Sequence, residues 1–362
     1  MAIPKDIVWD IEPHTVVKHE ILKNYLQAWF PILSKYKSRI IYLDGFSGPG
    51  RYSKGEPGSP IVALTTALEH KASLTGEIIF FFVDENKERI ENLRKEVAKL
   101  ILPKNFKIYI ELGEFEKVIG DTIEELEKNG KDLAPTFAFI DPFGFSGLPF
   151  NLVSRILKFS SSEVFINFMV DSINRFIEHP EEKTREHIVQ LFGTTEVNNI
   201  LTSSGNRVKA LRDLYQKQLG MTANFVRFFE MADNHDRTIY YLFFASKNAL
   251  GHQKMKEAMW KVDSEGDFRF SDSTNPNQTT LFRADHTESL LRRLSKRFGS
   301  TSLDVSIIKR YVLDETEFIE KHMRNSLKFG EENGTLLVNT QKVDGSKRKK
   351  GTFPDGTLVT FI

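Results

Sequence analysis

The chain has 362 residues, 40% hydrophobic and 27% charged, with a formal net charge of +1. This balance suits a soluble globular protein of about two domains, and any charged patch must be local. Cysteine is absent, which excludes disulfides, thiolate nucleophiles and cysteine-ligated metal centres within this chain. The nine histidines show no HExxH-like spacing, so no metal site is expected.

No basic segment followed by an apolar stretch opens the chain, and runs such as "IIFFFV" are far below the roughly 20 residues that span a bilayer. A cytoplasmic protein is expected. Apolar residues from Val17 to Trp29 recur at helical spacing, giving a helix that enters near Pro13–Thr15 and stops before Pro31. Five strands follow: Ile40–Leu43, Gly76–Asp84, Phe106–Ile110, Thr136–Asp141 and Glu163–Phe168. Helical patterns separate them, one with Ile90, Leu93, Val97 and Leu100 on one face. Strands alternating with helices predict an α/β fold with a mostly parallel sheet, covered on both faces. Residues 171–221 read as a polar, helical insertion, and residues 224–246 as a hairpin around Asp233–Asp236 that closes the sheet. A helix over 254–263 ends this first domain at about residue 270.

Residues 271–284 have the composition of a linker. Beyond it, helices over Val305–Val312 and Phe318–Phe329 precede two strands, Thr335–Asn339 and Thr357–Phe361, joined by a basic loop. That order predicts a winged helix-turn-helix over 285–362. From Leu291 onward fourteen basic residues face nine acidic ones. Lys347, Arg348, Lys349 and Lys350 share the hairpin tip, a pattern suited to nucleic-acid phosphates, with a solvated tip or a protein-docking module as alternatives.

The first strand runs into "LDGFSGPGRY", and five glycines fall within fourteen residues from Gly45 to Gly58. A strand, an acid and then glycines leading into a helix is the layout of nucleotide-cofactor loops in doubly wound sheets. The spacing departs from the dinucleotide pattern GxGxxG and from the Walker loop, which argues against NAD and against a P-loop nucleotide. "DGFSGPG" resembles the D-x-F-x-G-x-G loop of S-adenosylmethionine-dependent methyltransferases. That resemblance implies cofactor contacts from Asp44, Gly45, Phe46, Gly48 and Gly50. It also implies ribose hydroxyls on Asp84 at the end of the second strand, and the adenine amine on Glu114 after the third. Taken singly, Asp84 suits a helix cap better than a ligand. Lys18, in the leading helix beside Thr15, suits either the cofactor carboxylate or solvent.

"IDPFGF" (Ile140–Phe145) ends the fourth strand, where amino-methyltransferases carry [DN]-P-P-[YF]. Carried over, Asp141 and the Pro142 region accept the hydrogens of an exocyclic amine and Phe143 or Phe145 stacks on the base. A nucleobase must then be flipped out or single-stranded. Phe143 stands in the second proline's place and Gly144 in the aromatic's, so a strand-ending turn remains the structural alternative. Asn167 and Asp171 are further polar candidates at the end of the fifth strand.

"PHTVVKHEILKNYLQAW", "YLDGFSGPGRY", "FAFIDPFGF", "ALGHQKMKEAMWKVD" and "KGTFPDGTLVTFI" together resemble the three-Cys-motif partner protein family across nearly the whole chain. That resemblance implies a methyltransferase-like Rossmann domain with a C-terminal appendage and association with a radical-S-adenosylmethionine protein. Two functions are expected from the sequence. One is a methyltransferase acting on a nucleic-acid amine. The other is a binding subunit that keeps the pocket and transfers nothing.

Overall fold

Alternation along five hydrophobic strands decides how the first half of the chain packs. The computed structural model describes residues 6–202, 205–263, 265–272 and 285–362. In chain order it shows α1 (Pro13–Tyr36), β1 (Arg39–Asp44), α2 (Ser59–Leu68), β2 (Glu77–Asp84), α3 (Lys87–Ala98), β3 (Phe106–Leu112), α4 (Phe115–Lys128), β4 (Thr136–Ile140), α5 (Phe150–Lys158) and β5 (Ser162–Phe168). Then come α6 (Val170–Phe176), α7 (Glu182–Phe192), a 3-10 turn (Thr195–Thr202), α8 (Arg207–Gly220), β6 (Phe225–Ala232), β7 (Thr238–Ser246), α9 (Ala249–Val262) and β8 (Arg269–Ser271).

These strands form one sheet in the order β3-β2-β1-β4-β5-β7-β6-β8. β1 to β5 pair in parallel, and β7 runs antiparallel between β5 and β6. The fold is α/β, a doubly wound Rossmann-like sheet. Its strand order reverses between β1 and β4, the switch point at whose carboxyl end such sheets open a crevice.

On one face Phe80 and Phe137 meet Tyr25, Trp29 and Phe30 of α1 through ring contacts, and Tyr42 and Phe165 pack beside them in the sheet. On the other, Leu43, Val83, Ala138, Ile140, Ile166 and Phe168 pack with residues of α4, α5 and α8. Period-two side-chain direction therefore puts Asp44, Asp141 and Asn167 on the face covered by α1, one step beyond an aromatic row.

Two boundaries differ from the sequence expectation. α1 continues through Pro31 to Tyr36. Pro31 has no N–H for the carbonyl of Gln27, and the ring of His70 supplies the donor instead, its Nε2 3.0 Å from that oxygen. Trp29, Phe30 and Ser34 are buried on either side of the proline, so packing holds the helix together where propensity would end it. Ser271, expected as the first linker residue, belongs to β8, which pairs in parallel with β6 at the sheet edge. Residues 273–284 lie outside the described residues. The hairpin over 224–246 is present as β6 and β7, but β8 lies beyond it and forms the edge.

The chain divides into two compact units, Met1–Val262 with Arg269–Asn277, and Asp263–Phe268 with Gln278–Ile362. The second holds α10 (Thr287–Phe298), β9 (Leu303–Asp304), α11 (Val305–Glu315), α12 (Glu320–Glu332), β10 (Leu336–Lys342) and β11 (Thr357–Phe361). Its three strands pair antiparallel in the order β10-β11-β9. Leu290, Leu294, Ile308, Val312, Met323, Leu327, Val359 and Phe361 form its buried interior. Among the described residues no helix is long and apolar enough to cross a membrane.

The helical insertion is tied to the sheet by Phe168, which stacks on Tyr215 at 4.4 Å between centroids and meets Phe192 and Phe243 edge-on. Phe168→Ala should lower the unfolding free energy by about 3–5 kcal/mol. Urea denaturation followed by circular dichroism measures this, and a loss below about 1 kcal/mol would mean that the insertion is held elsewhere.

Candidate active site

The carboxyl ends of β1, β4 and β5 meet the amino end of α1 in a cleft with about 730 Å³ of free space, open solvent at its mouth included. Lys18 and His19 come from α1, Phe46 to Tyr52 from the loop after β1, Asp141 to Phe143 from the loop after β4, and Asn167 from β5. The helix delivers its two side chains because Pro13 starts it just ahead of them. Apolar residues one turn on, Ile21, Leu22 and Tyr25, then bury it against the sheet.

Lys18 is only 5% exposed. Its Nζ lies 2.5 Å from Asp141 Oδ2, and the amide Nδ2 of Asn167 donates to Asp141 Oδ1 at 2.6 Å. Both oxygens of Asp141 are thus engaged by the protein. Lys18 also lies 5.5 Å from the centre of the Tyr240 ring, within cation–π range. His19 is buried beside it, and burial followed by the Lys18 charge pushes its pKa down to about 3, so the ring is neutral. Nδ1 is buried with no hydrogen-bond partner among the described residues.

The glycine loop is shaped by an internal latch. Asp84 Oδ2 accepts from the Gly48 amide at 2.9 Å and Oδ1 from the Asn86 amide at 2.8 Å. Burial raises the Asp84 pKa, while those two amides, with Arg89, draw it back. Gly48 and Gly50 have φ of +62° and +87°, a region that side chains resist. Asp44 is fully buried below the loop and accepts weakly from the Phe46 amide and the Tyr42 hydroxyl at 3.4 and 3.3 Å. Burial pushes its pKa up to about 7; a hydrogen bond from Ser59 opposes the rise and the nearby Asp141 adds to it.

The sequence-predicted residues separate into three groups. Lys18, Phe46, Gly48, Gly50, Asp141, Pro142 and Phe143 all line the cleft. Asp44, Gly45 and Asp84 stand behind its wall as supports; a Cβ on Gly45 would lie 2.5 Å from the Phe115 ring. Glu114 departs from expectation. It is exposed at the start of α4 and outside the cleft, because Phe115 takes the inward position against Phe46 at 5.4 Å. Phe145 packs on Phe176 at 5.9 Å, away from the lining, whereas Phe143 faces the cleft. Asp171 is paired with Arg175 on α6.

Two residues at the cleft carry no motif. Trp9 meets Phe143 edge-on at 5.4 Å and Tyr52 at 5.8 Å. The Arg89 guanidinium sits 5.1 Å from the Trp9 ring and 5.0 Å from the Phe143 ring. Only the aromatic character of Trp9 ahead of α1, and an arginine in the first turn after β2, hinted at them in the sequence.

In the second unit Lys347, Lys349 and Lys350 are exposed on the loop between β10 and β11. Arg348 is not available with them. Its side chain is 3% exposed and forks onto Glu331 of α12, with Nη1 also donating to the Thr352 carbonyl at 2.9 Å. Glu331 further accepts from the Gly351 amide at 3.1 Å, so this arginine anchors the basic loop.

No family model matches the chain, and no curated protein matches its sequence. Among solved structures it is similar to protein LPL1258 from Legionella pneumophila, at 14% identity and a TM-score of 0.38 over 65% of this chain and 85% of that one. It is similar to Trm1 from Pyrococcus horikoshii in complex with S-adenosyl-L-methionine, at 13% identity and 0.38 over 99% and 94%. Spermidine synthase from Thermotoga maritima gives 11% and 0.35 over 80% and 76%. TM-scores this low carry no weight for function, which must rest on the cleft's own residues.

Asp44 gives a pH signature. Its pKa of about 7 against an ordinary 3.8 means that the folded chain holds a proton which the unfolded chain has lost. Its contribution is complete below about pH 4 and disappears as pH rises through 7. Asp44→Asn should therefore show a flatter decline of unfolding free energy across that window than the parent chain, measured by urea denaturation at stepped pH. Parallel profiles would show that Asp44 is ionised throughout.

Proposed function

We propose that the chain is an S-adenosylmethionine-dependent methyltransferase acting on an exocyclic amine of a nucleic acid. One observation carries this most directly: at the switch point of a doubly wound sheet, a backbone-lined glycine loop, a buried cation and an Asp-Pro-aromatic corner share one cleft. The residues suit the cofactor. The Gly48 and Gly50 backbone allows close approach, Ser47 has a buried hydroxyl with no partner among the described residues, and Lys18 brings a positive charge for a carboxylate. When bound, the sulfonium supplies an electrophilic methyl group.

Everything else falls to the chain's own side chains. Phe46, Ser47, Gly48 and Gly50 hold the nucleoside side of the cleft, and Asp84 keeps that loop in shape. Phe143 supplies an aromatic face for a base, and the Asp141–Pro142 turn sets the approach of its amine. Holding an amine in line with a methyl group contributes much of the acceleration in such reactions. The second unit has the element order of a winged helix, and Lys347, Lys349 and Lys350 on its loop suit phosphate contacts. The family resemblance adds a radical-S-adenosylmethionine protein as a partner in this proposal.

A second reading has its own support. Lys18 and Asn167 already occupy both oxygens of Asp141, and the motif has Phe143 and Gly144 where amino-methyltransferases carry Pro and an aromatic. A binding subunit that holds the cofactor without transferring its methyl group would show this arrangement.

Calorimetric titration with S-adenosylmethionine should saturate at one site, and Gly48→Val should weaken it at least tenfold. Binding of NADH in its place would overturn the cofactor assignment. Transfer of labelled methyl to single-stranded DNA or RNA, lost in Asp141→Ala, supports the enzyme; cofactor binding with no transfer to any nucleic acid supports the subunit. Replacing Lys347, Lys349 and Lys350 together by alanine should reduce the salt slope of nucleic-acid binding by about 0.7–0.9 for each phosphate that is no longer neutralised. An unchanged slope rejects a phosphate-binding role for the basic loop.

A further inference from the structure

Asp141 is the expected hydrogen acceptor for an amine, yet its two oxygens are already taken. Lys18 donates to Oδ2 and Asn167 to Oδ1. A carboxylate held by a lysine can only accept, so Asn167 must turn its NH2 toward it. That fixes the other end of the amide. Oδ1 of Asn167 has no hydrogen-bond partner among the described residues, although the residue is 4% exposed and lines the cleft. A buried carbonyl oxygen in that state is satisfied only by a donor brought from outside.

We propose that Asn167 accepts the N–H of the substrate's exocyclic amine, and that Asp141 and Lys18 are positioning residues that hold the amide in its accepting sense. The inference rests on the nucleobase-amine reading above and moves the contact from Asp141 to its neighbour across the β4–β5 pair. It also assigns specificity. An oxygen fixed as an acceptor favours a base edge that carries NH2 and disfavours one that carries a carbonyl in the same place, because two acceptors would then face each other. His19 Nδ1 is another buried, unpartnered atom in the cleft, but no charged group fixes whether it donates or accepts. Asn167 lies beside the Asp141–Pro142 turn, where the strand ends converge.

The test compares equilibrium binding of single-stranded oligonucleotides that differ at one base, with S-adenosylhomocysteine saturating. The pairs are adenine against hypoxanthine and cytosine against uracil, each exchanging an amine for a carbonyl. The intact chain should prefer the amine in one pair by at least tenfold, and Asn167→Ala should reduce that preference to within about twofold. Asp141→Asn is the sharper variant. Its amide can offer NH2 to Asn167, which then turns its own NH2 outward, so the preference should invert toward the carbonyl base. A mere loss of packing would weaken both members alike. A preference that survives Asn167→Ala, or that disappears in His19→Leu instead, overturns Asn167 while leaving the amine reading in place. No preference in the intact chain overturns both.

Discussion

A buried lysine facing a half-buried aspartate constrains the whole cleft. Taking the lysine's charge out of water is costly, and removing the aspartate would leave that buried charge uncompensated. Lys18 and Asp141 meet at 2.5 Å with Asn167 completing the set, so α1, β4 and β5 are held in one arrangement at the carboxyl end of the sheet. His19, the next residue of the helix, lines the same cleft as the glycine loop. A cleft of fixed polarity is what a small charged cofactor requires, and an arrangement chosen for stability alone would be better served by apolar groups of similar size.

Strand periodicity produces that arrangement. Tyr42 precedes Asp44, Phe139 precedes Asp141 and Phe165 precedes Asn167, each pair two residues apart. The aromatic buries against its neighbours and forces the polar residue to the same face at the strand's end. Much of the fold was therefore legible. The five parallel strands, the hairpin and the basic loop follow from apolar runs and turn residues, and the cleft from acids and glycines placed after strands.

The parts that were not legible share one cause: they depend on long-range partners. Pro31 reads as a helix stop, and only His70 from a distant loop supplies the donor for the freed Gln27 carbonyl. Ser271 reads as linker until β6 offers an edge to pair with. Glu114 reads as an adenine contact, but the next residue, Phe115, has the larger apolar area to bury and takes the inward position. Arg348 reads as one of four free cations; Glu331, seventeen residues earlier on α12, neutralises it. Asn167 was visible as a polar residue on a hydrophobic strand. Its unmatched oxygen was not, since that follows from which atoms of Asp141 and Lys18 it meets.

A crystal structure of the chain soaked with S-adenosylhomocysteine tests the central claim most directly. The account predicts the ligand's nucleoside against Phe46 to Gly50 and its carboxylate near Lys18, with the Asp141–Asn167 bond intact. Ligand density anywhere else on the sheet, or an empty cleft at saturating ligand, would contradict it.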